Sequence, residues 1–205
     1  MTLFTLQEEK CIADAIASAE RTTSGEILAV VATQSDSYLY MPFLVASLVA
    51  LLIPWPLIYF TWHPVQWIYL LQLLVFAAIV AVLLPGTQRL WFVPESVKKM
   101  HAHRRALEQF VVQNLHTSEG HTGILIFVSF AERYAEIIAD KAIHKKVPEG
   151  TWQVIVDQLT SDLANNQTAE GFVTAIGTCG QHLALHFPPG SRKANELPNH
   201  LIVLR

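Results

Sequence analysis

Residues 37–88 read SYLYMPFLVASLVALLIPWPLIYFTWHPVQWIYLLQLLVFAAIVAVLLPGTQ, and none of these 52 positions is Asp, Glu, Lys or Arg. All 31 charged residues of the chain, 14 basic and 17 acidic, lie in the other 153 positions. A membrane-crossing helix needs about 20 apolar residues. Residues 41–61 and 65–85 each meet that length, and Trp62-His63-Pro64 supplies a short link between them. Trp55, Tyr59, Trp62, Trp67 and Tyr69 gather around the link, where an aromatic belt at headgroup level is expected. Pro54 and Pro56 fall inside the first segment, so it is expected to bend or to dip only part of the way across.

Outward from this block, the composition becomes ordinary. The chain as a whole is 52% hydrophobic and 15% charged, with a mean hydropathy of +0.34. A soluble domain is usually about 25% charged. Removing the apolar block leaves residues 1–36 and 95–205 as a soluble α/β domain, long enough for one core. Residues 37–94 form the hairpin insertion. Residues 1–20 contain Glu8, Glu9, Lys10 and Asp14 and no apolar run of the signal-peptide kind, so the first apolar segment is expected to direct insertion itself. The hairpin tip carries no Lys or Arg, whereas Arg89, Lys98, Lys99, Arg104 and Arg105 follow the second segment. The positive-inside rule then predicts a two-span protein of the cell inner (plasma) membrane with its soluble domain in the cytoplasm.

The net charge of −3 and pI near 6.3 leave no basic footprint for nucleic acid. Cys11 and Cys179 form no CxxC pair and are expected as buried thiols rather than a disulfide. The expected partners are the lipid bilayer and a membrane protein complex. Inside the two spans Gln66, at the start of the second, and Gln72 are the amide side chains, too little for a transporter or channel.

The flanking segments show alternating helix and strand signals. A first helix is expected over 6–21, with Thr5 and Glu8 as a capping box. Thr23-Ser24-Gly25 is a turn, and Ile27–Thr33 is a continuous apolar run of a strand buried on both faces. After the hairpin come a helix over 95–115, a strand over 124–130 and a strand over 133–139, the last two joined too tightly for anything but an antiparallel pair. Helices over 151–164 and 168–186 follow, and Leu201–Leu204 is a candidate edge strand. The link from the first strand to the second is long and helical, so that pair is expected to be parallel.

This connectivity sorts the polar residues by sheet end. Asp36 and the Glu132-Arg133 turn fall at the end from which the apolar block departs. Glu26, His116, Glu119, His121, Asp140, His144 and Glu149 fall at the other. Carboxylates and imidazoles together can hold a divalent cation such as Ca²⁺ or Mg²⁺, or move a proton. Glu26, Asp140, His144 and His121 are the candidate binding residues, with Glu26 and Asp140 as the candidate metal ligands. The competing reading is a solvated polar rim. Glu132-Arg133 reads as a surface pair of little energetic weight. His101-Ala-His103 cannot chelate from one helix face; with Lys98, Lys99, Arg104 and Arg105 it reads as a basic juxtamembrane helix. No GxSxG, P-loop, HExxH or GxGxxG is present, so no catalytic residue is assigned.

Thr23-Ser24-Gly25-Glu26-Ile27, then Gly123-Ile-Leu-Ile-Phe-Val-Ser129 with Glu132-Arg133-Tyr-Ala-Glu-Ile-Ile-Ala-Asp140, then Glu170-Gly171-Phe172 opening a helix, resemble the TPM domain family. Nearly the whole chain takes part, and the likeness is to the bacterial branch with a two-helix membrane hairpin inside the domain. The resemblance implies an α/β/α sandwich with a small mixed sheet. It also implies acid phosphatase activity, divalent-ion binding by loop aspartates, or an accessory role beside larger membrane complexes. This chain departs from the family before the first helix, where Phe4-Thr5-Leu6 stands in place of an aspartate-bearing stretch. It departs again after the third strand, where Asp140 and Glu149 are the carboxylates. The departures favour a non-enzymatic accessory or adaptor module; a divalent-ion-dependent phosphatase is the alternative.

Overall fold

The computed structural model describes residues 3–60, 64–85, 87–115, 122–148, 150–189 and 200–204. The chain forms two compact units, one made of Met1–Ser35 with Lys99–Arg205 and the other of Asp36–Lys98.

The first unit is built on a mixed four-stranded sheet. Strands β1 (Glu26–Ala32) and β2 (Gly123–Ser129) pair in parallel, with Glu26 opposite Gly123 and Ala32 opposite Ser129. Strand β3 (Tyr134–Ala139) lies antiparallel to β2, and β4 (Ile202–Leu204) parallel to β1, giving the order β3-β2-β1-β4. Side chains alternate across a strand. On one face Ile27, Ala29, Val31, Ile124, Ile126 and Val128 meet the buried faces of α1 (Leu6–Glu20), α7 (Thr151–Ala164) and α8 (Thr168–His186). On the other, Leu28, Val30, Leu125 and Phe127 meet Ala102, Ala106 and Phe110 of α5 (Glu95–Val112). The unit is an α/β/α sandwich, and both central strands are buried throughout, which explains their unbroken apolar runs.

Local chemistry fixes the ends. Thr5 and Glu8 make the expected capping box on α1, with Thr5 N–H donating to Glu8 Oε2 at 2.7 Å and Glu8 N–H to Thr5 Oγ1 at 3.3 Å. At the end of α8 the Phe187 carbonyl accepts from Thr23 Oγ1 at 2.7 Å and Ser24 N–H at 3.0 Å. The Lys146 ammonium sits 4.4 Å above the Phe187 ring and donates to the His186 carbonyl at 3.4 Å, so the open end of α8 is tied both to the turn before β1 and to the segment after β3. Helix α5 stops at Val112, three residues before the expected end, because Asn114 takes a left-handed conformation, φ 56°. A short helix, α6 (Lys141–His144), appears after β3, where no periodic signal of that length exists.

The second unit contains α2 (Tyr40–Leu52), α3 (Pro54–Phe60) and α4 (Val65–Leu83), followed by a 3-10 turn over Thr87–Phe92. The first expected span is interrupted at Ile53. Pro54 and Pro56 have no N–H to donate to the preceding turn, which is the physical reason for the break. Tyr40–Phe60 and Val65–Leu83 are long and apolar enough to cross a membrane, with 21 and 19 residues and mean hydropathy 2.2 in each. Small residues line the seam between α2 and α4: Ala46 and Ala50, one turn apart, are buried there. Outward from the seam the side chains are apolar and exposed, among them Leu51, Leu52, Ile58, Phe60, Leu73 and Val82.

Cys179 is buried in α8, and burial pushes its thiol up to about 12, whereas Cys11 is exposed on α1 rather than buried as expected. Helices α1 and α8 approach so closely that a Cβ on Gly180 would lie 2.7 Å from Ala19 Cβ, whereas one on Gly177 would meet nothing within 4 Å. Gly180→Ala should therefore lower stability by about 1–3 kcal/mol through overpacking. Gly177→Ala on the same helix should raise it by about 0.5–1 kcal/mol through helix propensity. Urea midpoints measured by pulse proteolysis of the detergent-solubilised chain would check both signs.

Candidate functional site

The two candidate metal ligands stand at the same end of the sheet. Glu26 is the first residue of β1, half-buried, with Gly123 opposite it on β2. Asp140 follows β3 and is buried; its N–H donates to the Gly123 carbonyl at 3.0 Å. The backbones of the two residues are thus two strand spacings apart, about 10 Å. The Asp140 carboxylate is the N-cap of α6, accepting from Lys141 N–H at 2.6 Å. His144 closes the same turn, its N–H donating 3.0 Å to the Asp140 carbonyl, and its side chain is exposed. His121 and, with it, His116, Glu119 and Glu149 lie outside the described residues. Among the described residues no three His, Cys, Asp or Glu side chains are grouped closely enough to hold a metal ion. Asp140 has its own physical explanation as a cap.

At the opposite end, the structure corrects the reading of Glu132. It is not a surface partner of Arg133 but a buried acid, 7% exposed, while Arg133 is exposed at φ 50°. Glu132 Oε1 accepts from Ser35 N–H at 3.0 Å, and Oε2 accepts a short hydrogen bond from the Ser129 hydroxyl. Ser35 Oγ in turn donates to Ser129 Oγ at 2.9 Å. Two backbone bonds extend the pairing past the strands: Phe130 N–H to Ala32 O and Ala131 N–H to Thr33 O, both 3.1 Å. The carboxylate therefore joins the ends of β1 and β2 at the last residue before the chain passes into the apolar unit. A cleft of about 390 Å³ opens beside it, lined by Ser129, Phe130, Arg133, Tyr134, Thr160 and Leu163.

A third group was not anticipated. His103 Nδ1 lies 2.9 Å from both carboxylate oxygens of Glu136, and Tyr134 O–H donates to Glu136 Oε2 at 3.1 Å. An ionised carboxylate only accepts, so His103 presents Nδ1–H to it. Burial, and then the neighbouring Glu136 charge, raise the Tyr134 phenol well above its ordinary value. The group ties α5 to β3. The signal for it was present in Tyr134-Ala-Glu136, where two polar residues at i and i+2 share a strand face.

The Glu132 junction makes a checkable claim. Glu132→Ala leaves the Ser35 amide and Ser129 hydroxyl without their acceptor, at a cost of about 1–3 kcal/mol. Glu132→Gln, which retains an accepting oxygen, should cost less. Hydrogen–deuterium exchange at Ser35 and along the β2–β3 turn should speed up in that order, with α1 and α8 little changed.

Comparison with known proteins agrees with this geometry. The family model described as TPM domain matches residues 89–182, from the 3-10 turn through α5, the β2–β3 hairpin and most of α8. Among solved structures, the NMR structure of BA42 protein from the psychrophilic bacterium Bizionia argentinensis superposes with a TM-score of 0.62 at 20% identity, covering 98% of this chain and 95% of that one. At that identity the likeness is one of fold. No curated protein matches the chain. Residues 89–182 of the chain are thus similar to the TPM domain, and its α/β/α fold is similar to that of the BA42 protein.

Proposed function

We propose that α2, α3 and α4 anchor the chain in a membrane, and that the TPM domain serves there as a non-enzymatic accessory or adaptor module for a membrane-associated complex. The observation that carries the reading is the apolar hairpin. Side chains as large as Leu51, Trp55, Phe60 and Leu73 are 63–85% exposed on it. Contiguous apolar surface of this kind is rare against water and costs nothing against lipid. The span of Tyr40–Phe60, 21 residues, corresponds to about 31 Å of helix, close to the hydrocarbon thickness of a bilayer. The run of Arg89, Lys98, Lys99, Arg104 and Arg105 supports a cytoplasmic domain on the cell inner membrane. The accessory role is supported by the employment of the acids: Asp140 caps α6, Glu132 joins β1 to β2, and Glu136 holds His103 and Tyr134.

A phosphatase using a divalent cation is the second reading. It is favoured by the common placement of Glu26 and Asp140 at one end of the sheet. In it both carboxylates would bind the ion, and His144 or His121 would assist proton transfer. Asp140→Asn separates the two. Asparagine caps a helix as well as aspartate but supplies no anionic oxygen. The full-length protein in detergent, assayed on a phosphomonoester with Mg²⁺ or Ca²⁺, should show no turnover that depends on Asp140 or Glu26. Turnover abolished by Asp140→Asn or Glu26→Ala would establish the enzyme instead.

Orientation has a native reporter. Cys11 is exposed and Cys179 is buried. An impermeant maleimide should leave intact cells unlabelled and modify Cys11 alone once the membrane is opened. Labelling of Cys11 in intact cells would place the domain on the outer side.

A further inference from the structure

Helix α5 has two apolar sides. Ala102, Ala106, Gln109 and Phe110 are buried toward the sheet. On the far side Met100, Leu107 and Val111 follow one another at spacings of seven and four, 60%, 43% and 56% exposed. Those spacings put them on one line along the helix, the side of a domain helix that normally carries polar residues. Arg104 stands beside the line, four residues after Met100 and three before Leu107, with its side chain 77% exposed, and Lys99, also exposed, flanks it about 100° round the helix. Arg104 Nε and Arg105 Nη1 both reach Glu108, at 3.2 and 3.3 Å, which leaves one acid shared between two guanidinium groups. Across the whole helix Lys98, Lys99, Arg104 and Arg105 stand against Glu95 and Glu108, four charges against two.

An apolar line with cations along it is the composition of a helix that lies in the headgroup region of an anionic bilayer. The chain's connectivity supplies such a surface. Only residues 84–94 separate the end of α4 from the start of α5. Eleven residues reach at most about 40 Å even when fully extended. Within them Trp91 is 86% exposed and Phe92 50%, residue types that settle at the membrane–water boundary.

We infer that the Met100–Leu107–Val111 line of α5 docks on the anionic headgroups of the membrane leaflet on the domain's own side, held by Arg104 beside the line and by Lys99 and Arg105 reaching from its flanks. The inference rests on the membrane-anchor reading. Docking would restrict how the TPM domain turns on its anchor and so which of its surfaces a neighbouring complex meets.

The test uses the full chain with Cys11→Ala, reconstituted in phosphatidylcholine vesicles with and without phosphatidylglycerol. Single fluorescent labels go on Leu107→Cys, on Val154→Cys, which is 70% exposed on α7, and on Leu73→Cys in α4. Nitroxide lipids report contact. The Leu73→Cys label should be quenched in both vesicle types. The Leu107→Cys label should be quenched strongly with phosphatidylglycerol and weakly without it, and the Val154→Cys label in neither. Each cation removed, by Lys99→Gln or Arg104→Gln, should lower the docking constant about fivefold. Quenching at Leu107→Cys no greater than at Val154→Cys, or equal in both vesicle types, overturns the inference while the anchor stands. Protection of Leu107→Cys that disappears on diluting the protein in the vesicles assigns the line to a second copy and also overturns it. Absence of quenching at Leu73→Cys is the separate failure of the anchor itself.

Discussion

The Glu132 carboxylate fixes the place where the chain leaves one folded unit for the other. A parallel pair needs a long crossover, and here that crossover carries the entire apolar hairpin before α5 returns to the sheet. Strand β1 must therefore end at a defined point, or motion of the insertion would pull directly on the ladder. The chain meets this requirement with one buried acid. Glu132 accepts from the amide of Ser35, three residues beyond β1, and from the hydroxyl of Ser129, the last residue of β2. Hydrogen bonds to an ionised acceptor are about twice as strong as neutral ones. Removing the acid would leave two donors unmatched in a place that water scarcely reaches.

The sheet was legible because its strands obey one rule. Ile27–Val31 and Ile124–Val128 are buried on both faces, so every residue is apolar and the run is visible without any period. Helices α7 and α8 were equally plain, since each packs one face on the sheet and exposes the other. Boundaries moved where a single backbone choice decided them. Asn114 turns left-handed and ends α5, and Pro54 divides the first apolar helix into two. The four residues of α6 make about one turn, too few for any periodic pattern to register.

The candidate site was legible in place but not in role. Topology alone put Glu26 and Asp140 at one end of the sheet, because β1 and β2 run parallel and β3 returns. What Asp140 does there depends on a short helix that the sequence did not announce. Glu132 was misread for a more general reason. A Glu-Arg pair in a tight turn is usually solvated, and its burial here arises from Ser35, 97 positions away. No local window contains that contact. The same holds for His103 and Glu136, 33 positions apart, joined only because α5 crosses the face on which Tyr134 and Glu136 stand.

These placements bear on function through the geometry of open α/β sheets. Ligands in such folds sit outside the carboxyl ends of the parallel strands, where connections depart to opposite faces. In this chain the carboxyl ends of β1 and β2 carry the Ser35–Glu132–Ser129 network, and β1 leads from there into the apolar hairpin. The position that other α/β proteins give to a ligand is used here for a structural junction. A bound cation would have to compete with the Ser35 amide and the Ser129 hydroxyl for the Glu132 oxygens, and a phosphate would have to displace Glu132 as the acceptor of those two donors. At the other end, the Asp140 carboxylate already serves the α6 N-terminus. Glu132 and Asp140 thus each have a hydrogen-bonded partner within the fold, and an apolar line on α5, an exposed hairpin and a narrow cleft beside Arg133 stand apart from both. The proposed reading, in which the hairpin holds the domain at a membrane, uses the α5 line and the hairpin; the phosphatase reading uses Glu26 and Asp140 at the other end of the sheet.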